Sequence, residues 1–496
     1  MRLDIILINP GAKKETYQTL AADLVAVEPP FWIAAIAAYL QKKGFSVAII
    51  DANAENLSSE EVATQVQGMK PLIVGVIVYG SQPSASTQNM NIAGKIVREL
   101  KEKTGVLVAM GGLHPTALPE QTMREELCDF VIEGEGPYTL EKLLTALKHG
   151  DDVCKLAAIP GFAIPGLYYR NSEGHIEHGV PAPLISDLDQ VLPLSAWELL
   201  PMQKYRAHNW HCFDDIERRS PYAAIYTSLG CPYSCVFCCI NALFGKPGIR
   251  FRSPSVVVDE LEYLHRKYGV RNIKIVDELF VLKESHYFSI VKQIIERKLE
   301  LNIWAYARVD TINYEHLSLM KKAGINWLAL GIESASPLVR EGASKKMRIR
   351  DIKEVVSQIQ NAGIRIIGNY IFGLPDDNYE TMQETLAMAI DLKCEFANFY
   401  SAMAYPGSKL YQLALDNNWA MPPSWNAYSQ HSFDCTPLPT KHLTAAQVLS
   451  FRDKAFNQYF SNEKFLKMIE DKFGSQVRQH VTSMTERQLP RKITGV

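Results

Sequence analysis

Ala223-Ala224-Ile225-Tyr226-Thr227-Ser228-Leu229-Gly230-Cys231-Pro232-Tyr233-Ser234-Cys235-Val236-Phe237-Cys238 is the stretch from which the rest of the chain can be read. Ala223 to Ser228 predicts a strand, Gly230 ends it, and three cysteines follow with three and then two residues between them. With nine cysteines in 496 residues, that spacing arises by chance about 3 times in a thousand such chains. A zinc site wants a fourth Cys or His at fixed spacing, and Cys239, adjacent to Cys238, is badly placed to supply it. Three soft thiolates on a short loop suit an iron–sulfur cube with one iron left without a protein ligand. Extended, the Cys231–Cys238 segment spans about 25 Å, ample slack to fold around a cluster. The alternative is three inert, buried thiols.

Downstream the same grammar repeats. Strands are expected at Asn272 to Val276, Asn302 to Ala307, Trp327 to Leu330, Ile364 to Tyr370 and Phe396 to Ala402. Helical spacing separates them at Ser255 to Lys267, Glu284 to Lys298, Tyr314 to Ala323, Arg350 to Ala362 and Tyr379 to Asp391. Six βα units predict a partial (β/α)6 TIM-type barrel over 216–415, two short of closure, with its chemistry at the carboxyl ends of the strands. Residues 416–496 read as a small helical C-terminal region, with helices at Thr444 to Phe460 and Glu463 to Phe473.

Upstream, residues 1–150 alternate as well. Apolar runs at Ile5 to Ile8, Ser46 to Ile50, Leu72 to Tyr79, Val106 to Met110 and Phe130 to Ile132 are separated mostly by helical stretches. That pattern is α/β: a doubly wound, Rossmann-like domain whose parallel sheet is covered on both faces. Ligands of such sheets lie beyond the strand ends, here Asn9-Pro10, Tyr79-Gly80-Ser81, Gly111-Gly112 and Glu133-Gly134-Glu135-Gly136. The glycines there either admit a large ligand to the backbone or simply make tight turns. Residues 151–215 read as a hairpin turning at Asn171 to Gly174, then a proline-punctuated linker.

Hydrophobic residues at 47% and charged residues at 21% exclude wholesale disorder. Lysine and arginine number 52 against 54 acids, a net charge of −2 that lacks the basic field of most nucleic-acid binders. The best apolar run, Phe31 to Leu40, is about half of what a membrane span needs. The sparse cysteines and the absence of a signal-like h-region point to a cytoplasmic protein whose clustered thiols bind metal or do chemistry.

The motif set resembles the radical S-adenosylmethionine (SAM) enzymes, whose signature is CxxxCxxC. Val276-Asp277-Glu278-Leu279-Phe280 looks like the second-strand motif that meets the SAM amino group. Ala307-Arg308-Val309-Asp310 ends the third strand, and Leu330-Gly331-Ile332-Glu333-Ser334 looks like the ribose-contacting segment of the fourth. Ile371-Phe372-Gly373-Leu374-Pro375-Asp376 follows the fifth and Ala404-Tyr405-Pro406-Gly407-Ser408 the sixth. The N-terminal half, with Gly111-Gly112-Leu113-His114-Pro115-Thr116 and Gly134-Glu135-Gly136-Pro137, resembles the cobalamin-binding domain of the cobalamin-dependent subclass, which contains methylases and cyclases. The Asp-x-His-x-x-Gly motif of other cobalamin enzymes is absent, leaving the lower cobalt ligand unassigned, and the subclass's Gly-Glu-Gly-Glu is Gly-Glu-Gly-Pro here.

The resemblance implies a 4Fe-4S cluster on Cys231, Cys235 and Cys238 that cleaves SAM reductively to a 5′-deoxyadenosyl radical, with cobalamin as the further cofactor. Glu278 would meet the SAM ammonium. Arg308 would hold its carboxylate or a ribose oxygen, the alternative being an ion pair with Asp277 or Asp310. Glu333, with Ser334, would accept from the ribose, or simply start a helix. Phe237 would lie near the adenine, or pack. Ser81, Gly112, His114 and Glu135 are the candidate cobalamin contacts, Ser81 for the nucleotide tail. The implied activity is methylation of an unactivated carbon, or phosphorus, of a small-molecule substrate, with an electron donor such as a flavodoxin or ferredoxin. A radical cyclisation without methyl transfer is the first alternative. A methylthiotransferase needs a further trio of N-terminal cysteines, where residues 1–150 hold only Cys128, and a non-catalytic metal- or cobalamin-binding protein would make no 5′-deoxyadenosine. After anaerobic reconstitution with iron and sulfide, Cys231→Ala, Cys235→Ala and Cys238→Ala should each lose SAM cleavage. Normal 5′-deoxyadenosine yield from any of the three would falsify the cluster assignment.

Overall fold

The computed structural model describes residues 3–11, 16–21, 24–80, 82–150, 164–192, 194–345 and 352–495. Five parallel strands form the first sheet: β1 (Ile5–Asn9), β2 (Val47–Asp51), β3 (Ile73–Val78), β4 (Leu107–Gly112) and β5 (Phe130–Ile132). They lie in the order β2-β1-β3-β4-β5. β1 and β3 are completely or nearly completely buried along their length, as strands covered by helices on both faces must be. The order reverses at β1, with β2 on one side and β3 on the other, so the crevice expected of a doubly wound sheet opens beyond Asn9 and Val78. The hairpin of β6 (Leu167–Arg170) and β7 (Ile176–His178) adds two antiparallel strands beside β5. The Asn171 side-chain oxygen accepts from the backbone N–H of Glu173 and of His175 at 2.9 and 3.0 Å, which fixes the expected turn.

The second sheet holds six parallel strands in consecutive order: β8 (Tyr222–Ile225), β11 (Asn272–Ile275), β12 (Asn302–Arg308), β13 (Ile325–Glu333), β14 (Arg365–Phe372) and β15 (Phe396–Ser401). A small antiparallel ribbon, β9 (Ser228–Leu229) with β10 (Arg250–Phe251), sits after β8. Helices Pro254–Tyr268, Glu284–Glu296, Leu317–Lys322, Ile352–Asn361 and Tyr379–Leu392 fall between successive strands, the partial barrel expected. β15 is an edge. The C-terminal helix Ala445–Phe460 covers it, with Arg452 Nε donating to Phe399 O at 2.8 Å and the Tyr459 hydroxyl to Cys394 O at 2.5 Å. A third C-terminal helix, Ser475–Thr485, was not legible because it buries only Val477, Val481 and Met484.

Residues 195–213, within the stretch read as linker, contribute several large side chains to the core. Trp197 and Tyr205 are fully buried, as is Phe213. The Trp210 ring lies 5.2 Å from Trp304, 5.5 Å from Trp327 and 5.7 Å from Phe396, near the amino ends of three barrel strands. One buried ion pair ties this segment to the barrel. Arg252 Nη1 lies 2.8 Å from Glu260, while Glu260 Oε1 accepts from Ser195 N at 3.0 Å and Trp197 Nε1 at 2.8 Å. Deleting one member strands the other charge in a dry site, so Glu260→Ala should cost about 3–5 kcal/mol in a denaturant titration. A loss below about 1 kcal/mol would mean that the pair carries no such charge penalty.

Candidate active site

The cysteine loop is positioned by groups that do no chemistry. Asp277, at the end of β11, is fully buried. It accepts from Thr227 N at 2.6 Å, Thr227 Oγ1 at 2.5 Å and Ser228 Oγ at 2.6 Å, pinning the turn just before the cysteines. Burial raises its pKa and these hydrogen bonds pull it back. Gly230 has φ +96, and a Cβ there would sit 2.4 Å from Gly248 O, so only glycine fits. Gly248 N donates to Cys231 O at 3.0 Å and closes the loop. In its middle, Val236 is clipped on both sides: its N–H donates to Ala343 O at 3.0 Å, and its carbonyl accepts from Leu410 N at 2.8 Å.

Cys231, Cys235 and Cys238 are partly exposed, unpaired, and line one cavity. Burial pushes the Cys231 thiol up to about 11 and raises the other two as well. Iron must therefore displace protons to bind. Among the described residues no three His, Cys, Asp or Glu side chains converge on one ion position. In a cluster each thiolate takes a different iron, whereas zinc gathers its ligands around a single point.

The strand ends supply the surrounding wall. The pairing register sets Arg308 beside Gly331, Gly331 beside Asn369, and Asn369 beside Asn398. The Asn398 amide donates to Asn369 Oδ1 at 3.0 Å. Glu278 lines the cavity; burial and the adjacent Asp277 push its pKa up to about 8. Arg308 pairs with Asp310 at 2.9 and 3.1 Å, the ion pair anticipated as its alternative, and its guanidinium lies 3.9 Å from the Tyr233 ring centroid, inside the cysteine loop. Glu333 has φ 65, and the register slips between Gly331 and Glu333. This bulge re-aims the carboxylate into the cavity, where it pairs with Lys345, whose Nζ also donates to Gly331 O at 2.9 Å. Phe237 lines the cavity too. Ser334 is fully buried against Thr385, 3.2 Å away, outside the lining.

The opposite wall is the carboxyl edge of the first sheet, including Asn9, Pro10, Asn53, Tyr79 and Gly80. The cavity between the two edges holds about 530 Å3. Gly112, His114 and Glu135 are not in its lining. At Gly112 a Cβ would meet Val78 O at 2.1 Å, so glycine there serves close strand packing. His114 is buried, 3.2 Å from Thr87 Oγ1, edge-on to Trp425, and held neutral by burial that lowers its pKa to about 3. Glu135 makes a bidentate pair with Arg250 at 2.7 and 3.0 Å, joining the first sheet to the barrel. Ser81 lies outside the described residues. Sequence reasoning passed over Lys345, Asn369, Asn398 and the pair Glu28–Lys274. The available signal was period-two alternation: a lysine between Ile273 and Ile275 faces the same way as Glu278.

A Rossmann-like domain facing a partial barrel with three cysteines at its mouth defines the class of two-domain radical SAM proteins. Residues 17–144 match the B12 binding domain and residues 225–389 the Radical SAM superfamily. An uncharacterized methyltransferase of Pyrococcus horikoshii is 32% identical over 441 residues, covering 88% of this chain and 89% of its own. The anaerobic magnesium-protoporphyrin IX monomethyl ester cyclase of Rubrivivax gelatinosus is 25% identical over 466 residues, 93% of this chain and 78% of that one. The radical SAM methyltransferase TsrM from Kitasatospora setae, solved with cobalamin and a [4Fe-4S] cluster bound, shares the fold with a TM-score of 0.65 at 20% identity, over 84% of this chain and 76% of that one. The chain belongs to the cobalamin-dependent radical SAM enzyme family. No helix among the described residues is long and apolar enough to cross a membrane.

Glu278 yields a sign-specific test. Its folded pKa of about 8 lies above the ordinary carboxylate range, so the folded chain holds an extra proton between roughly pH 4.5 and 8. Stability contributed by that proton is present at low pH and lost as pH rises through 8. Glu278→Gln apoprotein should therefore gain stability over the native chain as pH rises from about 5 to 8, at up to about 1.4 kcal/mol per pKa unit. A pH-independent difference in melting temperature would contradict a buried, raised carboxyl.

Proposed function

We propose that this enzyme methylates an unactivated carbon, or phosphorus, of a small-molecule substrate. The observation that carries the reading is the single cavity shared by the three cysteines and the carboxyl edges of both sheets. It lets a methyl donor on one wall and a hydrogen-abstracting group on the other reach the same substrate.

When bound, the cluster, SAM and cobalamin supply a low-potential electron, a carbon-centred radical and a transferable methyl group. The chain's own residues do the rest. Cys231, Cys235 and Cys238 hold the cluster as thiolates. Glu278, once ionised, takes the SAM ammonium, and the cation lowers its pKa in return. Arg308, 3.9 Å from the Tyr233 ring and held by Asp310, would turn its guanidinium to the SAM carboxylate. Glu333, oriented by Lys345, accepts from the ribose hydroxyls, Ser334 supports the same segment through Thr385, and Phe237 packs beside the adenine. Ser81 would meet the nucleotide tail of cobalamin, and Gly112, His114 and Glu135 would support the strand ends on that side from behind the cavity lining. The aromatic lining excludes water and stray hydrogen donors. A flavodoxin or ferredoxin delivers the electron, and the reducing cytoplasm keeps the thiols available.

The likeness to the Rubrivivax gelatinosus cyclase favours a second reading, radical cyclisation without methyl transfer. Anaerobic reconstitution with iron, sulfide and cobalamin, followed by SAM and reductant, separates the two. Methylation predicts a retained corrin spectrum, 5′-deoxyadenosine, and a product heavier by one methylene. 5′-Deoxyadenosine with no mass gain in the product supports cyclisation, and iron–sulfur absorption without a corrin spectrum removes the methylase reading.

A further inference from the structure

Beneath the ring of strand-end residues the barrel has a charged floor. Lys274, within β11, and Val276 and Glu278, just beyond its end, all line the cavity, with Lys274 four residues before Glu278 and deeper in the barrel. Its Nζ sits 2.9 and 3.2 Å from the two carboxylate oxygens of Glu28, which arrives from the loop before the helix Phe31–Lys42. The two side chains are 3% and 8% exposed, and both line the cavity. The Tyr222 hydroxyl donates to Glu28 at 3.3 Å, and the Lys274 ammonium lies 4.9 Å from the Trp304 ring centroid. His208 Nε2 is 3.9 Å from Glu28, but burial, reinforced by Lys274 and Arg219, lowers its pKa to about 3 and keeps it neutral. Among the described residues that line the floor, Lys274 and Glu28 thus stand as one cation and one anion side by side. Its walls are aromatic: Trp304 packs 5.2 Å from Trp210 and 5.1 Å from Tyr306.

A buried pair of this kind contributes little net stability, because desolvation offsets the attraction. At a cavity surface it becomes a recognition element. A ligand with an ammonium and a carboxylate on one carbon matches it charge for charge, ammonium to Glu28 and carboxylate to Lys274, and its side chain falls against the rings. A ligand with only one charge can engage only one member of the pair, and so forgoes half of the contacts that the zwitterion makes.

We propose that Glu28 and Lys274 are the specificity-determining residues of the cavity and that the substrate is a free α-amino acid with an apolar or aromatic side chain. This rests on the methyl-transfer reading of the site and narrows its substrate class. The test is calorimetry on the reconstituted holoenzyme with SAM and no reductant. The probes are L-phenylalanine, L-leucine and L-tryptophan, with 3-phenylpropionate and phenethylamine as analogues each lacking one charge. At least one amino acid is expected to bind, with the analogue partners of phenylalanine at least about tenfold weaker. Glu28→Gln is expected to erase the preference over 3-phenylpropionate, and Lys274→Met the preference over phenethylamine. Discrimination by the native chain stands as a test even if a variant does not fold. Equal binding of the singly charged analogues, or no binding of any of the three amino acids, overturns the proposal. Either result obtained with cluster and corrin spectra and SAM cleavage intact leaves the methyl-transfer reading in place, whereas loss of SAM cleavage in the native holoenzyme removes that reading itself.

Discussion

The carboxylate of Asp277 joins the ends of β8 and β11 through three short hydrogen bonds to Thr227 and Ser228. The cysteine loop takes its starting point from that tie. Gly230 follows directly and turns the chain where no side chain fits, so Cys231 begins at a fixed point. The clips at Val236 then orient Cys235 and Phe237 on either side of it. A buried carboxylate held by this many donors is costly to disturb, because each donor left unmatched loses its partner in a dry environment. The precision of the loop therefore comes from neighbours that need never touch a ligand.

Burial unites the chemistry of the site. It raises the cysteine thiols, raises Glu278, and holds His114 and His208 neutral. A cavity this buried holds its charges in pairs and makes any added charged contact strong. The bulge at Glu333, with its positive φ, belongs to the same logic: local strain is tolerated where it aims a carboxylate at ligand space.

One ion pair joins the first sheet to the barrel half and a second joins the connecting segment to it. Glu135 of the first sheet grips Arg250, and two residues on Arg252 grips Glu260, which in turn holds Ser195 and Trp197. β10 is thus the seam between the halves. The geometry explains why acids at strand ends are ambiguous in a sequence. Glu135 and Glu278 occupy equivalent strand-end positions in their domains, yet one closes an ion pair while the other looks into the cavity.

The sequence alone determined the two alternating βα runs, the consecutive barrel strands and the cysteine loop, because periodicity and fixed spacing are local properties of a chain. Nearly every strand lies within a few residues of its expected range, and Glu278, Arg308 and Glu333 fall at or just beyond strand ends, although a bulge rather than simple alternation aims Glu333. Only the tertiary structure decided which polar groups face ligand and which face each other. That Arg308 is paired with Asp310, that His114 and Glu135 stand behind the cavity wall, and that Glu28 reaches a lysine 246 residues away are outcomes of packing. Such pairings are set by the depth to which each group is desolvated and by the partner that the folded chain brings within about 3 Å, and neither is written in spacing along the chain.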